Sequence, residues 1–123
     1  MKNPSITPHR DSAAELIAEN EQNLKANGLD KNLEAIAGMS IYHDIWLRVC
    51  DLMDAGAPLE DIIGAVAIGV SGSVQALSFN VARFTNGDEA SVRSRLLSRI
   101  ERLSKIEMRR LDTDVGAPYA GRA

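Results

Sequence analysis

The sequence predicts an all-α fold, a bundle of four helices, or of five if the third breaks near residues 69–73. Three observations lead there. Apolar residues recur at helical spacing through most of the chain, and no stretch alternates as a strand would. Turn signals at Gly28–Asp30, Gly56–Pro58 and Asn86-Gly87-Asp88 cut this pattern into four segments. The composition, 45% hydrophobic and 25% charged over 123 residues, suits one globular domain and excludes a disordered chain or a fibre. Links this short make successive helices roughly antiparallel neighbours. The expected organisation is a single helical domain over residues 11–111, with flexible tails at 1–10 and 112–123.

Asp11 or Ser12 is placed to cap a first helix that reaches about Asn27 and stops at Gly28. Ser12 followed by Glu15 has the form of a capping box. Its apolar stripe of Ala13, Leu16, Ile17 and Leu24 is thin, which predicts a peripheral helix. Asp30 offers the next N-cap, for a helix ending near Ala55 before Gly56. At about 100° per residue, Met39, Ile41, Tyr42, Ile45, Trp46, Val49, Leu52 and Met53 share one side of it, the expected core face. Ser40, Asp44, Arg48 and Asp51 share the other.

Pro58 suits the first position of a third helix, and Glu60 and Asp61 complement the dipole of its first turn. Residues 62–82 carry no charge, a run long enough to cross a bilayer. Gln75 and Asn80 interrupt it, and a mean hydropathy of roughly 1.4 falls below the usual threshold for a span. It is therefore read as a buried helix of a soluble protein, and no membrane association is expected. Ala65, Gly69 and Ser73 are spaced by four, as are Gly72 and Ala76. These small residues form a candidate close-packing strip, within the fold or across a two-fold axis. A ligand pocket over the missing side chains is the competing reading.

Asp88 caps a fourth helix, expected from Glu89 to about Leu111. Val92, Leu96, Leu97, Ile100, Leu103, Ile106 and Leu111 line one side of it, and Arg95, Arg99, Arg102, Lys105 and Arg109 the other. Only 4% of the chain is aromatic. Tyr42, Trp46, Phe79 and Phe84 all fall on helices two and three, which points to that pair as the centre of the core.

Functional signals are sparse. The first ten residues lack the apolar core of a signal peptide, and a lone Cys50 excludes an intramolecular disulfide. The expected location is cytoplasmic. Gly64 and Gly69 have phosphate-loop spacing, but Val70 stands where the lysine belongs. Gly69-Val70-Ser71-Gly72-Ser73 imitates a nucleophile elbow and fails at its last position. His43 and Cys50 lie about 10 Å apart along a helix, too far to share one ion. Asp51, Asp54, Glu60 and Asp61 bracket a turn without calcium-loop spacing. His43 has the chemistry of a general base and Cys50 that of a nucleophile, with no third group placed to orient them. No catalytic residue, metal or cofactor is expected.

Charge provides the remaining lead. The net charge is -3, but residues 1–61 hold five basic groups against eleven acidic, and residues 62–123 hold nine against six. The stripe of Arg95, Arg99, Arg102, Lys105 and Arg109 is thus either solvated, docked on acidic Glu15, Glu19 and Glu21, or a face for an acidic protein; a nucleic acid is not favoured. The expected function is a small non-enzymatic helical interaction or regulatory module, self-associating as a homodimer. A nucleic-acid-associated regulator using the basic face is the alternative. A small-ligand binder with a pocket near Tyr42, His43 and Trp46 comes third.

Overall fold

Four long helices and a terminal 3₁₀ helix account for most of residues 8–113, which the computed structural model describes. They are α1 (Pro8–Ala26), α2 (Leu33–Asp54), α3 (Leu59–Thr85) and α4 (Glu89–Leu103), followed by the 3₁₀ helix Met108–Thr113. No strand occurs among the described residues, so the all-α prediction holds. The helices pair as hairpins, α1 with α2 and α3 with α4. Contacts divide the chain into two compact units, Leu59–Ile106 and the described residues on either side of it. Most of the tail residues named above lie outside those described, but Pro8–Arg10 belong to α1, and Asp112 and Thr113 to the 3₁₀ helix.

The turn residues act as the sequence implies. Gly28 (φ +72) and Gly56 (φ +80) sit in the left-handed region. Each closes its helix with a paired set of backbone bonds: Leu29 N donates to Leu24 O at 2.8 Å, and Gly28 N to Lys25 O at 3.1 Å. At the end of α2, Ala57 N donates to Leu52 O and Gly56 N to Met53 O, both at 3.0 Å. This is the Schellman arrangement, which satisfies carbonyls left over by the last turn. Asn86 takes the same role after α3 (φ 56), with Gly87 N donating to Ala82 O at 2.8 Å. Asp88 caps α4 as expected, accepting from Ser91 N at 3.2 Å.

Helix starts depart more. The N-cap of α2 is Asn32, not Asp30, and accepts from Ala35 N at 3.0 Å. The turn in which Asn32 N donates to Leu29 O delays the helix and lets Leu29 be buried. α1 begins three residues before Asp11, because a distant carboxylate caps it. Asp54, at the end of α2, accepts from His9 N at 3.1 Å and Arg10 N at 3.2 Å. Arg10 Nη1 donates to both oxygens of Asp51 at 2.8 Å. No local pattern encodes a cap more than forty residues away.

The core of the α1–α2 unit also differs from expectation. α1 is not peripheral: Ala13, Asn20 and Leu24 are buried, with Leu16, Ile17 and Asn23 half-buried beside them. On α2 the buried side chains are Ala35, Met39, His43, Val49 and Cys50, whereas Ile41 and Ile45 are exposed. The packed stripe is thus turned by roughly a quarter of the circumference from the one that hydrophobicity selects. The reason is the facing helix: α1 presents Ala13, Asn20 and Leu24, and α2 buries Ala35, Met39, Val49, Cys50 and a His43 ring paired with Asn20, which leaves Ile41 and Ile45 outside.

α3 runs unbroken through residues 69–73. Ser73 Oγ donates to Gly69 O at 2.8 Å and Ser78 Oγ to Val74 O at 2.7 Å, so these hydroxyls are satisfied within the helix and do not break it. The fifth-helix alternative therefore falls. α4, in contrast, stops eight residues early. Beyond it Lys105 N donates to Arg102 O and Ile106 N to Leu103 O, a tightening to three-residue spacing that lets the chain turn away. Leu111 is buried in the 3₁₀ helix, which packs on α1, and Asn27 Nδ2 donates to Arg109 O at 2.8 Å. Burial of Leu111 prevails over continued helix propensity.

Candidate functional site

The three groups of residues singled out by sequence meet different fates. Tyr42, His43 and Trp46 stay together on α2 but contribute to packing within the α1–α2 unit. His43 is buried, with Tyr42 and Trp46 half-buried around it. The Asn20 amide nitrogen stands 3.2 Å from His43 Nε2, and the Tyr42 ring is tilted against the imidazole at 5.3 Å between centroids. That ring nitrogen is thus paired inside the α1–α2 contact.

Cys50 is buried on the same helix. Burial, and then the Asp54 and Asp51 carboxylates, push its thiol above the ordinary range against the opposing pull of Arg10. A thiol held protonated in this way is a poor nucleophile near neutrality. Asp51 and Asp54 are engaged at the start of α1, and no group of three metal-ligating side chains is found among the described residues.

The basic stripe does not survive as one helix face. Arg95, Arg99 and Arg102 lie on α4, with Arg99 half-buried and the other two exposed. Lys105 follows the end of the helix, 3.6 Å from Glu101. Arg109 belongs to the other unit, where Glu107 accepts from its Nε at 2.6 Å and holds the guanidinium above its usual pKa. The early stop of α4 is what separates Arg109 from the arginines before it.

The small-residue strip is also displaced from its expected role. Ala65, Gly69, Gly72, Ser73 and Ala76 are all exposed, and a Cβ built on Gly64, Gly69 or Gly72 would meet nothing within 4 Å. They permit no close approach to α4. In the C-terminal half of α3 the side that packs is instead marked by buried Ser78 and Ala82, well around the helix from the strip at about 100° per residue, while at its start Ile62 is buried on the strip's own side.

What the α3–α4 hairpin offers is apolar surface. α3 is not the buried helix expected: over its best 18-residue window the mean hydropathy is 1.7, which corrects the lower value that set aside a span, and only 11% of that window is buried. By length and composition alone it is long and apolar enough to cross a membrane. Ile68 is 76% and Phe84 81% exposed, so neither phenylalanine-bearing turn of α3 is core, since Phe79 is exposed as well. Between α3 and α4 runs a groove of about 680 Å³. Val70, Val74, Phe79, Leu97 and Ile100 form its apolar surface, and Ser71, Gln75, Glu89 and Arg93 its polar rim. Arg93 Nη2 donates to Glu89 Oε1 at 2.6 Å across one helical turn.

Sequence reasoning missed Arg93, Glu89 and Gln75. The signal was available in the spacing of Glu89, Arg93, Leu97 and Ile100, which puts a charged pair and two apolar residues on one stripe of α4. No family model, curated protein or solved structure matches this chain.

Proposed function

We propose that this protein is a small non-enzymatic helical interaction module of the cytoplasm that associates with itself, and that the α3–α4 hairpin is the associating part. One observation carries the reading. α4 buries none of its side chains, and α3 buries only Ile62, Ser78 and Ala82, while Ile63, Ile68, Leu77, Phe79, Phe84 and Leu97 remain exposed. A unit this small needs a partner surface, because few elements below about 70 residues bury enough to be stable alone. An exposed apolar area of this extent is the usual mark of an interface.

Placement of the charges supports association in water over insertion of α3 into a bilayer. Arg93 and Glu89 share the groove with Val70–Phe79, the middle of the apolar run, and Arg95, Arg99 and Arg102 follow on the same helix. Each arginine carried to the centre of a bilayer costs about 3 kcal/mol. An acidic protein or nucleic acid on the arginine face gains little support from a stripe that loses Arg109.

Size-exclusion chromatography with light scattering at tens of micromolar tests the proposal. A dimer mass is expected. A strict monomer at that concentration refutes it, and co-sedimentation with phospholipid vesicles in place of dimerisation refutes the choice of partner.

A further inference from the structure

We infer that the α3–α4 groove is an isologous interface whose occupant is the same hairpin of a second copy, so that two hairpins complete one four-helix bundle. This rests on the self-association proposed above and goes further by assigning it to one face. Gly69, on the small-residue strip, lies nearly opposite the middle of the groove on α3 and is left out of the contact.

Three features select that face and that occupant. An apolar surface of Val70, Val74, Phe79, Leu97 and Ile100 inside a polar rim is how specific interfaces are built. The hairpin face as a whole is large enough: α3 spans 27 residues and α4 15, so at 1.5 Å per residue and about 10 Å per helix width it projects roughly 600 Å², about half of it along the groove-lining stretches. Accessible surface over protruding side chains exceeds that projection and approaches the roughly 800 Å² per partner of stable complexes. The rim is also self-complementary. Glu89 and Arg93 lie one turn apart on the groove stripe, so a two-fold axis crossing α4 sets each carboxylate beside the partner's guanidinium.

Opposite charges side by side suit a second copy better than a uniformly charged ligand. The arginines Arg95, Arg99 and Arg102 fall about 150° around α4 from the groove stripe, which keeps like charges out of the contact.

The test uses full-length chain and measures dimer dissociation by sedimentation equilibrium, with helical content checked by circular dichroism. Leu97 is 48% exposed in the single chain, so Leu97→Glu leaves the hairpin intact. It should raise Kd roughly a thousandfold, since two leucines leave each interface. Gly69→Arg on the strip, where a side chain meets open space, should leave Kd unchanged. Glu89→Arg and Arg93→Glu should each weaken the homodimer, and an equimolar mixture of the two variants should recover a heterodimer. Restored helix pairing inside one chain cannot produce that recovery. A dimer that survives Leu97→Glu, that dissolves with Gly69→Arg, or whose charge variants fail to recover on mixing overturns the groove assignment while leaving self-association standing. A monomeric wild type overturns both.

Discussion

The buried pair of Asn20 and His43 invites a quantitative perturbation. Both side chains are nearly inaccessible, and the amide nitrogen approaches Nε2 at 3.2 Å. Asn20→Ala strips the partner from a buried ring nitrogen, which costs about 1–3 kcal/mol. The lost atoms leave a void of roughly 25 Å³, worth about 0.6 kcal/mol more at ~24 cal/mol per Å³. The expected destabilisation is about 2.5 kcal/mol, or roughly seventyfold in the folded-to-unfolded ratio. Urea unfolding followed by fluorescence of Trp46, the only tryptophan, reads this unit. Removing both partners in Asn20→Ala/His43→Ala should cost less than the sum of the single losses, by about 1 kcal/mol. Coupling within about 0.3 kcal/mol of zero refutes the bond as a contributor to the α1–α2 contact.

Asp54→Ala removes the acceptor for His9 N and Arg10 N. It should cost about 1 kcal/mol and speed amide exchange at those residues without disturbing α3 or α4. Glycine substitutions should divide by site. Gly28→Ala and Gly56→Ala force an alanine into the left-handed region and should destabilise by about 1 kcal/mol, whereas Gly72→Ala, with open space around its Cβ, should stabilise by about 0.5–1 kcal/mol. Thermal melts distinguish the two signs. Because Cys50 is buried and its thiol pKa is raised, iodoacetamide should react more slowly with native than with unfolded chain at pH 8. The stability linked to the raised Cys50 pKa is fully present below the unfolded pKa and is lost as pH rises through the folded one.

Much of the secondary structure is legible in the chain because it is decided locally. A left-handed residue after each helix needs glycine or asparagine, and Gly28, Gly56 and Asn86 stand at those positions. An N-cap needs a short polar side chain, as at Asp88. Helical periodicity without strand alternation settles the all-α class by the same local rules. Where a partner element does the deciding, sequence misleads. Asp54 starts α1 from the far end of the neighbouring helix, and Leu111 ends the helical run after α4 by packing against α1.

The face that a helix buries is likewise a property of pairs. Hydrophobicity favours Ile41 and Ile45 on α2, yet α1 meets Ala35, His43 and Cys50, because small and polar surfaces fit closely where Asn20 can be bonded. On α3 the small residues suggest close packing, but α4 docks on the opposite side and leaves them in the open. The candidate site shows the same division. The exposed groove arises where Val70, Phe79, Leu97 and Ile100 converge from two helices, a placement that only the docking of α4 on α3 could decide. Composition and spacing alone determined a helical chain with marked ends. Tertiary structure decided which apolar residues become core and which remain outside as surface for a partner, because burial depends on the shape of the facing helix.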